Sequence, residues 1–369
     1  MIRVLVVGAG NMGASHARAY HQLNGFQLVG IVAPSPRRRS PLARELGGIA
    51  EFSDFEQALA QTKPDAVAVC SYPDTHKEYT LKALQAGAHV FVEKPLAETV
   101  EDARKIVQTA TRLNRKVVVG YILRHHPAWQ KFIELARSLG KPLVMRMNLN
   151  QQSSGKEWET HKQLMNSMSP IVDCGVHYVD VMCQITRSKP VRVHAIGARL
   201  TDEIKTDMYN YGQLQVVFED GSVGWYEAGW GPMISETAFF VKDVIGPKGC
   251  VSIVDPAQQG KTDSADIDSH TKTNSLLLHF AERDEKGQFT KPDQLIDTHN
   301  EPDHQELCNR EQQFFLKAIT EDLDLKEHLE DAVNSLRIVL AADQSVRSGK
   351  VISLTETFEK SGDYTNLST

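Results

Sequence analysis

The chain has 369 residues, enough for two domains, with 41% hydrophobic residues, 24% charged residues and a formal net charge of −6. This charge balance provides no basic field for nucleic acid or anionic lipid, and no apolar run is long enough to cross a bilayer. The five cysteines are scattered without a C-x-x-C pair, which favours buried thiols in a reducing compartment over disulfides or a zinc site. We therefore expect a cytoplasmic protein that binds neither nucleic acid nor membranes.

A glycine-rich turn follows the first predicted strand, Arg3–Val7. Residues 8–13 have the pattern G-x-G-x-x-G, and residues 14–21 after them are predicted to be helical. Between a strand and a helix this pattern is typical of dinucleotide binding, because its glycines permit a tight turn, close approach of a pyrophosphate and close helix–strand packing. The positive end of the helix would then face the phosphates. The predicted cofactor contacts in this turn are Gly8, Gly10, Asn11, Met12 and Gly13.

The end of the second predicted strand, Phe26–Val32, bears on the choice of cofactor. An acid at this position would bind the adenosine ribose of NAD, but the residue here is Ala33. Without the acid there is no repulsion against a 2′-phosphate, and a serine and three arginines follow that supply donors and positive charge. We therefore expect NADP in preference to NAD; the alternative is a solvated arginine loop beside an NAD site. The predicted contacts are Ala33, Ser35, Arg37 and Arg38.

Strands and helices continue to alternate through the first third of the chain, which predicts a doubly wound parallel sheet of the α/β class. Ligands bind at the carboxyl ends of the strands in such sheets. The residues that follow two of these strands are therefore predicted cofactor contacts: Ser71, Tyr72, Pro73 and His76 after the strand at 66–70, and Glu93 and Lys94 at the end of the strand that begins at 89. We expect Lys94 to lie near the nicotinamide; the alternative is a solvated Lys-Pro turn.

Four segments resemble, in order, those of the glucose–fructose oxidoreductase / inositol dehydrogenase / MocA-like family of NAD(P)-dependent oxidoreductases. They are residues 8–13, 73–76 (Pro-Asp-Thr-His), 83–95 (ending in Val-Glu-Lys-Pro) and 120–127 (ending in His-His-Pro). The resemblance implies a dinucleotide-binding Rossmann domain at 1–123, followed at 124–369 by a substrate-binding and oligomerisation α+β domain. Ala33 departs from the pattern, because many members carry an acid there.

A polar segment, residues 151–168, follows a predicted helix at 127–139 and a predicted strand at 143–150. We interpret it as an irregular substrate loop, because it offers a donor, a stacking face and a polar ring. The alternative is that these are ordinary exposed loop residues. The predicted substrate contacts outside the catalytic group are Arg124, Lys156, Trp158 and His161.

Asp173 and His177 lie four residues apart in a stretch predicted to be helical to about Ile185, so both side chains lie on one face. A carboxylate beside a histidine fixes its tautomer and raises its basicity, which suits a general base; the alternative is a core histidine that an acid satisfies. The family resemblance implies that such a pair works with the lysine of the Glu-Lys-Pro motif. The predicted catalytic residues, which also bind substrate, are Lys94, Asp173 and His177, with Asp180 structural or supporting.

Five strands are predicted between residues 191 and 254 without intervening helices, which indicates a large, mostly antiparallel open sheet. A polar excursion at 256–275, helices at 303–320 and 328–348, and a loosely held tail after Thr357 complete the prediction. The family resemblance implies that one face of the sheet forms a subunit interface, so we expect a homodimer or homotetramer.

Together the residues and the family resemblance imply an oxidoreductase that transfers hydride between a nicotinamide and a hydroxyl or keto carbon of a sugar, cyclitol such as inositol, or related polyol. His177 and Lys94 would handle the proton, and the fixed cation of Lys94 would stabilise a developing alkoxide. Two alternatives stay open: a retained dinucleotide used for glycoside elimination or hydrolysis without net redox change, and a dinucleotide-binding sensor without turnover. No metal is expected, because the adjacent side chains of His125 and His126 diverge.

Overall fold

The computed structural model describes residues 1–235, 241–254, 264 and 271–355. The chain divides into two compact units: the first comprises residues 1–126 and 302–336, and the second the described residues of 127–301 and 337–355. The first segment ends close to the expected boundary at 123/124, but nothing in the sequence analysis anticipated that residues 302–336 belong to the first unit. Among the described residues, no helix combines the length and apolar character that crossing a bilayer requires.

The first unit contains six strands, which form a fully parallel sheet and confirm the doubly wound α/β class. They are β1 (Ile2–Val7), β2 (Phe26–Val32), β3 (Glu51–Phe52), β4 (Ala66–Val69), β5 (His89–Glu93) and β6 (Val117–Gly120). Their order is β3-β2-β1-β4-β5-β6. The central strand β4 is apolar along its whole length and all four of its residues are fully buried, as is typical where helices cover both faces.

The helices between these strands begin where the sequence supplies capping groups. The side chain of Asp54 accepts a hydrogen bond from Gln57 N, and that of Thr99 accepts one from Asp102 N. Two other helices have a proline at their first position, where no N–H is needed. The helices are α1 (Asn11–Gln22), α2 (Pro36–Glu45), α3 (Phe55–Thr62), α4 (Pro73–Gln85) and α5 (Val100–Arg112), and a 3₁₀ turn follows β6 at Ile122–His125.

In the described part of the second unit, nine strands form a mostly antiparallel sheet, as expected. Its strands are β7 (Val144–Gln152), β8 (Pro190–Ala198), β9 (Tyr211–Phe218), β10 (Val223–Gly231), β11 (Lys242–Gly246), β12 (Gly249–Val254), β13 (Ser275–Phe280), β14 (Gln294–Asp297) and β15 (Ile352–Ser353). Their order is β14-β13-β12-β11-β7-β10-β9-β8-β15. The pair β7–β10 is parallel. Three helices and the strands β8 and β9 lie between these two strands in the chain. Strands β13 and β14 were not predicted.

One face of this sheet is covered by helices. The helices of the second unit are α6 (Pro127–Ser138), α7 (Gly155–Leu164), α8 (Pro170–Asp173) and α9 (Gly175–Thr186). Tyr226 of β10 is fully buried against Tyr178 of α9, with ring centroids 5.2 Å apart. Residues that alternate with this buried set stay accessible on the other face, among them Val144, Ile196 and Ile245, which are 40%, 54% and 40% exposed. The alternation is that of a sheet with one covered face.

Helix α7 corrects the expectation of an irregular loop at 151–168. The helix forms because Trp158 and Met165 are spaced to lie on one side, where they are buried with Ile204, Met208 and Trp230. The predicted polar excursion at 256–275 and the first part of the strand expected from Thr237 lie largely outside the described residues, as does the tail after Thr357.

Two long helices end the described chain: α10 (His304–Thr320) and α11 (Lys326–Ser348). Helix α10 belongs to the first unit, where Phe315 stacks on Phe26 at a centroid distance of 6.2 Å. The division between the units falls within α11, after Leu336. The cap of α10 is Asp303, whose side chain accepts a hydrogen bond from Glu306 N at 2.8 Å.

Replacement of this cap tests whether α10 stabilises the first unit. Because a lost N-cap typically costs about 1 kcal/mol, we expect Asp303→Ala to lower the urea midpoint of unfolding. The control is Asp303→Asn, which keeps an acceptor at the same position and should stay near the wild-type midpoint. Equal losses in the two variants would show that the cap is not the cause.

Candidate active site

Close backbone contacts determine the glycine-rich turn between β1 and α1. A Cβ atom at Gly8 would lie 2.3 Å from a carbonyl oxygen of the chain after β4, and one at Gly13 would lie 2.2 Å from Gly8 O, so neither position accepts a side chain. At Gly10, the added atom would meet, among the described atoms, only Nη1 of Arg38 at 3.7 Å. The backbone at Gly10 is therefore open to a ligand beside the N-terminus of α1, as the pyrophosphate of a dinucleotide requires.

The three arginines that follow β2 differ in their surroundings. Arg39 is held within the protein: its guanidinium donates to Ala33 O and forms an ion pair with Glu51 at 3.0 Å. Arg37 and Arg38 are exposed, and of the two it is Arg38 that reaches the open side of the glycine turn. Arg38 is therefore the exposed arginine whose guanidinium lies beside the glycine turn.

The remaining predicted cofactor contacts differ in exposure. Asn11, Ser35 and Tyr72 are exposed; Met12, Ser71, Pro73 and Lys94 are half-buried; and Ala33, His76 and Glu93 are buried. The last two lie in the interior of the first unit and have polar partners there.

His76 connects the chain after β4 to the chain after β5. Its Nδ1 lies 2.8 Å from Pro95 O and its Nε2 lies 3.0 Å from Ser71 O. The ring has no exposed surface, and burial lowers the pKa of His76 below its usual value, although the two carbonyl oxygens act in the opposite direction. A neutral ring can donate to only one of the two carbonyl oxygens, and the shorter contact assigns its proton to Nδ1. His76 therefore donates to Pro95 O and packs against Ser71 O, at the carboxyl edge of the sheet.

Glu93 is directed into the first unit as well. Its Oε1 lies 2.7 Å from Nε2 of His16 on α1, and its Oε2 accepts a hydrogen bond from Lys94 N at 3.2 Å. The carboxylate fits only because β6 ends in Gly120, where a Cβ atom would lie 3.0 Å from Oε1. Although burial acts to raise it, the pKa of Glu93 lies below its usual value, because His16 donates to the carboxylate and Lys94 carries a nearby positive charge. Glu93 is therefore anionic beside the lysine.

The hydrogen bonds continue from His16 into α10. Gln312 Nε2 lies 2.8 Å from Nδ1 of His16, and Gln312 Oε1 accepts from the hydroxyl of Tyr20. Each group donates to the next one in the chain: Tyr20 donates to Gln312, Gln312 donates to His16, and His16 donates to Glu93. The acceptor role of Nδ1 fixes the proton on Nε2, which is the nitrogen that faces Glu93.

A second acid, Glu311, lies in the same interior. Both of its carboxyl oxygens are buried, and neither has a hydrogen-bond partner in the described part of the chain. Burial, and then the charge of Glu93, raise the pKa of Glu311 well above its usual value, so this carboxyl group is protonated when Glu93 is charged. Ligand atoms of Glu311, Cys308 and His16 lie within 4.8 Å of one another. Because both ring nitrogens of His16 already serve the hydrogen-bonded chain, we do not interpret these three residues as a metal site.

In the second unit, Asp173 and His177 lie on consecutive helical turns. Asp173 ends α8 and His177 lies in the first turn of α9, and Cys174 between the two helices keeps a helical backbone. Both side chains are buried to about the same degree, 9% and 8% exposed. Asp180 is almost completely buried and accepts a hydrogen bond from Gln184 Nε2 at 2.9 Å.

The residues predicted on α7 separate by environment. His161 stacks on Trp230 at a centroid distance of 4.4 Å, and its Nδ1 lies 2.9 Å from Ser153 Oγ. Burial lowers the pKa of His161 to about 4, although the charge of Asp173 raises it, so the ring is neutral near pH 7. Trp158 is buried and donates to Glu203 at 3.2 Å.

The two remaining predicted substrate contacts are Lys156 and Arg124. Lys156 is exposed on α7. Arg124 lies in the first unit, where its Nη1 is 2.7 Å from Nδ1 of His328 and its guanidinium lies above the ring of Tyr121.

Sequence reasoning missed Tyr20, Glu311 and Gln312. A signal was available in α10, because Glu311 is spaced four residues from both Leu307 and Phe315 and therefore lies on the buried stripe of that helix. An acid on such a stripe is unusual and indicates a polar interior.

The parallel sheet, with its open glycine turn at a helix N-terminus, defines the chain as a dinucleotide-binding protein. Residues 2–121 match the family model for the oxidoreductase family with an NAD-binding Rossmann fold, and residues 131–249 match the GFO/IDH/MocA C-terminal domain. The chain belongs to the GFO/IDH/MocA family of oxidoreductases.

Similar proteins include several dehydrogenases. D-Glucoside 3-dehydrogenase of Escherichia coli (strain K12) is 28% identical over 67% of this chain and 75% of its own length. Inositol 2-dehydrogenase of Pseudomonas savastanoi pv. phaseolicola (strain 1448A / Race 6) is 24% identical over 76% of this chain and 81% of its own length. The crystal structure of scyllo-inositol dehydrogenase from Lactobacillus casei with bound NAD(H) and scyllo-inositol has the same fold, with a TM-score of 0.75, 20% identity and coverage of 96% of this chain and 99% of that one.

The buried acid Glu311 gives a prediction about stability. A carboxyl group whose pKa is higher in the folded than in the unfolded protein takes up a proton on folding, so its contribution is lost as pH rises above the unfolded value of about 4.5. Glu311→Gln removes this titration at constant shape. We expect the variant to gain stability over wild type with rising pH, by at most about 1.4 kcal/mol per pH unit, and to lose that gain below pH 4.

The measurement is urea unfolding at several pH values. The control is Glu306→Gln on the same helix, where the acid pairs with Arg310 at 3.0 Å on the outside; it should show no such gain. A difference between Glu311→Gln and wild type that stays constant across pH would contradict the protonated state of Glu311.

Proposed function

We propose that this chain is an NAD(P)-dependent dehydrogenase that acts on a CH–OH carbon of a sugar, an inositol or a related polyol. The observation that carries the proposal is Lys94, which lies directly after β5 at the sheet edge of the open glycine turn, next to an anionic acid. The substrate class is supported by the relatives named as glucoside and inositol dehydrogenases.

Each unit is assigned one part of the work. The first unit binds the dinucleotide at the glycine turn and supplies Lys94, and the second unit binds the substrate. When bound, the nicotinamide supplies the acceptor or donor of hydride. The ammonium group of Lys94 stabilises the negative charge that develops on the reacting oxygen. His177 takes the alcohol proton in the oxidation direction, and Asp173 orients His177 or binds a neighbouring hydroxyl.

The surroundings of Asp173 support a substrate with several hydroxyl groups. The carboxylate, the neutral imidazole of His161 and the ring of Trp230 belong to one buried cluster of the second unit. The carboxylate and the imidazole are hydrogen-bonding groups that suit a polyol, and the fully buried Trp230 holds the imidazole in place by stacking. Trp158 supports this cluster from within the core, whereas the exposed Lys156 is assigned to the outer part of the substrate site. Arg124, in the first unit, remains a predicted substrate contact.

The sheet of the second unit is the proposed subunit interface. Its uncovered face carries Val144, Ile196 and Ile245 together with the half-buried Trp225, and Arg146 pairs with Asp243 on it at 2.6 Å. Exposed apolar side chains together with a tryptophan and an arginine are enriched in protein–protein interfaces. The protomers would form a homodimer or homotetramer through it.

Substitution of the acid–base residues tests the function. Both steps of proton handling depend on these groups, so we expect Lys94→Met and His177→Asn to lower kcat about 10²- to 10⁴-fold with the dissociation constant of the cofactor nearly unchanged. Oxidation of myo-inositol, scyllo-inositol, glucose and a β-glucoside is measured with NAD⁺ and NADP⁺ separately.

The matched control is Lys105→Met, which changes an exposed lysine on α5 and should keep wild-type kcat. Wild-type turnover in Lys94→Met would refute the proposed function. Release of an aglycone without net NAD(P)H formation would replace dehydrogenation by a redox-neutral reaction on the same residues.

Arg38 is the proposed determinant of NADP preference. Loss of a charge-assisted contact typically costs about 1.5–3 kcal/mol, so we expect Arg38→Ala to weaken NADP⁺ binding about 10- to 100-fold and to change NAD⁺ binding little, as measured by calorimetry. The control is Arg37→Ala, which removes an exposed neighbour with a smaller expected effect. Equal losses for both dinucleotides would contradict selection of the 2′-phosphate by Arg38.

A further inference from the structure

Lys94 lies between two residues that are each held by a buried histidine of the first unit. His16 binds the side chain of Glu93, the residue before the lysine, at 2.7 Å. His76 binds the carbonyl oxygen of Pro95, the residue after it, at 2.8 Å. Both imidazoles have no exposed surface. Glu93 and Pro95 are buried, whereas Lys94 between them is half-buried and therefore partly accessible.

The His16 side of this arrangement has a fixed proton pattern. Gln312 donates to Nδ1, so the remaining proton of a neutral ring lies on Nε2 and points at Glu93. The other oxygen of Glu93 accepts from the backbone N–H of Lys94. The ring of Phe91 packs against His16 at a centroid distance of 4.7 Å and prevents it from turning. The lysine backbone is thereby tied, through one carboxylate, to α1 and α10.

The His76 side joins Lys94 to a second loop. One ring nitrogen faces Pro95 O and the other faces Ser71 O, which belongs to the chain after β4. The half-buried Ser71 lies at the carboxyl edge of the sheet, where a bound nicotinamide would be approached. Since a neutral ring has one N–H, the shorter contact assigns the donor to Nδ1 and to Pro95 O, and the contact with Ser71 O is one of packing.

We propose that His16 and His76 are positioning residues that fix the backbone of Lys94 from both sides; this inference rests on the proposed catalytic role of Lys94. A buried histidine usually serves only to satisfy core polar groups. Here the two rings hold the two residues adjacent to the lysine, and a reaction that depends on placement of its groups loses rate when they shift by about 1 Å. The histidines contact neither substrate nor cofactor in this role.

Asparagine and glutamine distinguish the two nitrogens of each ring, because the asparagine amide overlaps Nδ1 and the glutamine amide overlaps Nε2. The proposal therefore predicts a crossed pattern. His16→Gln keeps the donor to Glu93 and His16→Asn loses it, whereas His76→Asn keeps the donor to Pro95 O and His76→Gln loses it. We expect a 10- to 100-fold loss of kcat in His16→Asn and His76→Gln, near wild-type kcat in the other two variants, and cofactor dissociation constants within about twofold in all four.

A second measurement needs no substrate. Hydrogen exchange of the peptide that spans residues 91–97 of the full-length protein should be faster in His16→Asn and His76→Gln than in the two conservative variants. The control is His89→Asn at the opposite end of β5, where Nδ1 accepts from Lys116 N at 3.0 Å; it should leave exchange at Lys94 unchanged. If a His16 variant does not fold, Gln312→Ala loosens the same chain at its far end.

The outcomes separate the two proposals. If Lys94→Met is inactive but all four histidine variants keep wild-type kcat and exchange, the positioning role is refuted and the proposed function stands. If Lys94→Met retains turnover, the proposed function fails, and with it the catalytic purpose of the two histidines. Equal effects of asparagine and glutamine at both positions would show a packing role only.

Discussion

The hydrogen bond between His16 and Glu93 is the constraint on which the site in the first unit depends. It joins the glycine-bearing helix α1 to the end of β5, so that the phosphate-binding turn and the Glu-Lys-Pro motif share one rigid connection. A buried carboxylate is costly unless its oxygens are satisfied, and each oxygen of Glu93 has a donor. The protonated state of Glu311 nearby limits the interior to a single negative charge.

The sequence was sufficient for features whose cause is local. The glycine spacing, the alternation of strands and helices, and the place of Lys94 after β5 all follow from short-range patterns, and the parallel sheet confirms them. Helix α7 was missed because its buried positions, Trp158 and His161, lie among polar residues that read as a loop. Its partner Trp230 is distant in sequence, so no window around the helix contains it.

The interior roles of Glu93 and His76 show a different limit. Their position at the carboxyl edge of the sheet could be predicted, but the direction of each side chain could not, because it depends on partners from other segments. Glu93 turns inward only because Gly120 leaves room and His16 supplies a donor. Tyr20 and Gln312 meet across 292 positions of sequence, a distance that no pattern spans.

The return of residues 302–336 to the first unit has a consequence for the order in which the protein is made. Gln312 and Glu311 are synthesised after nearly the whole second unit, yet they belong to the interior beneath the Glu-Lys-Pro motif. Residues 1–126 leave the ribosome before α10 and can pair their strands, but His16 receives its hydrogen-bond donor only when α10 has been made. The dinucleotide-binding unit is therefore completed only after most of the second unit has been synthesised.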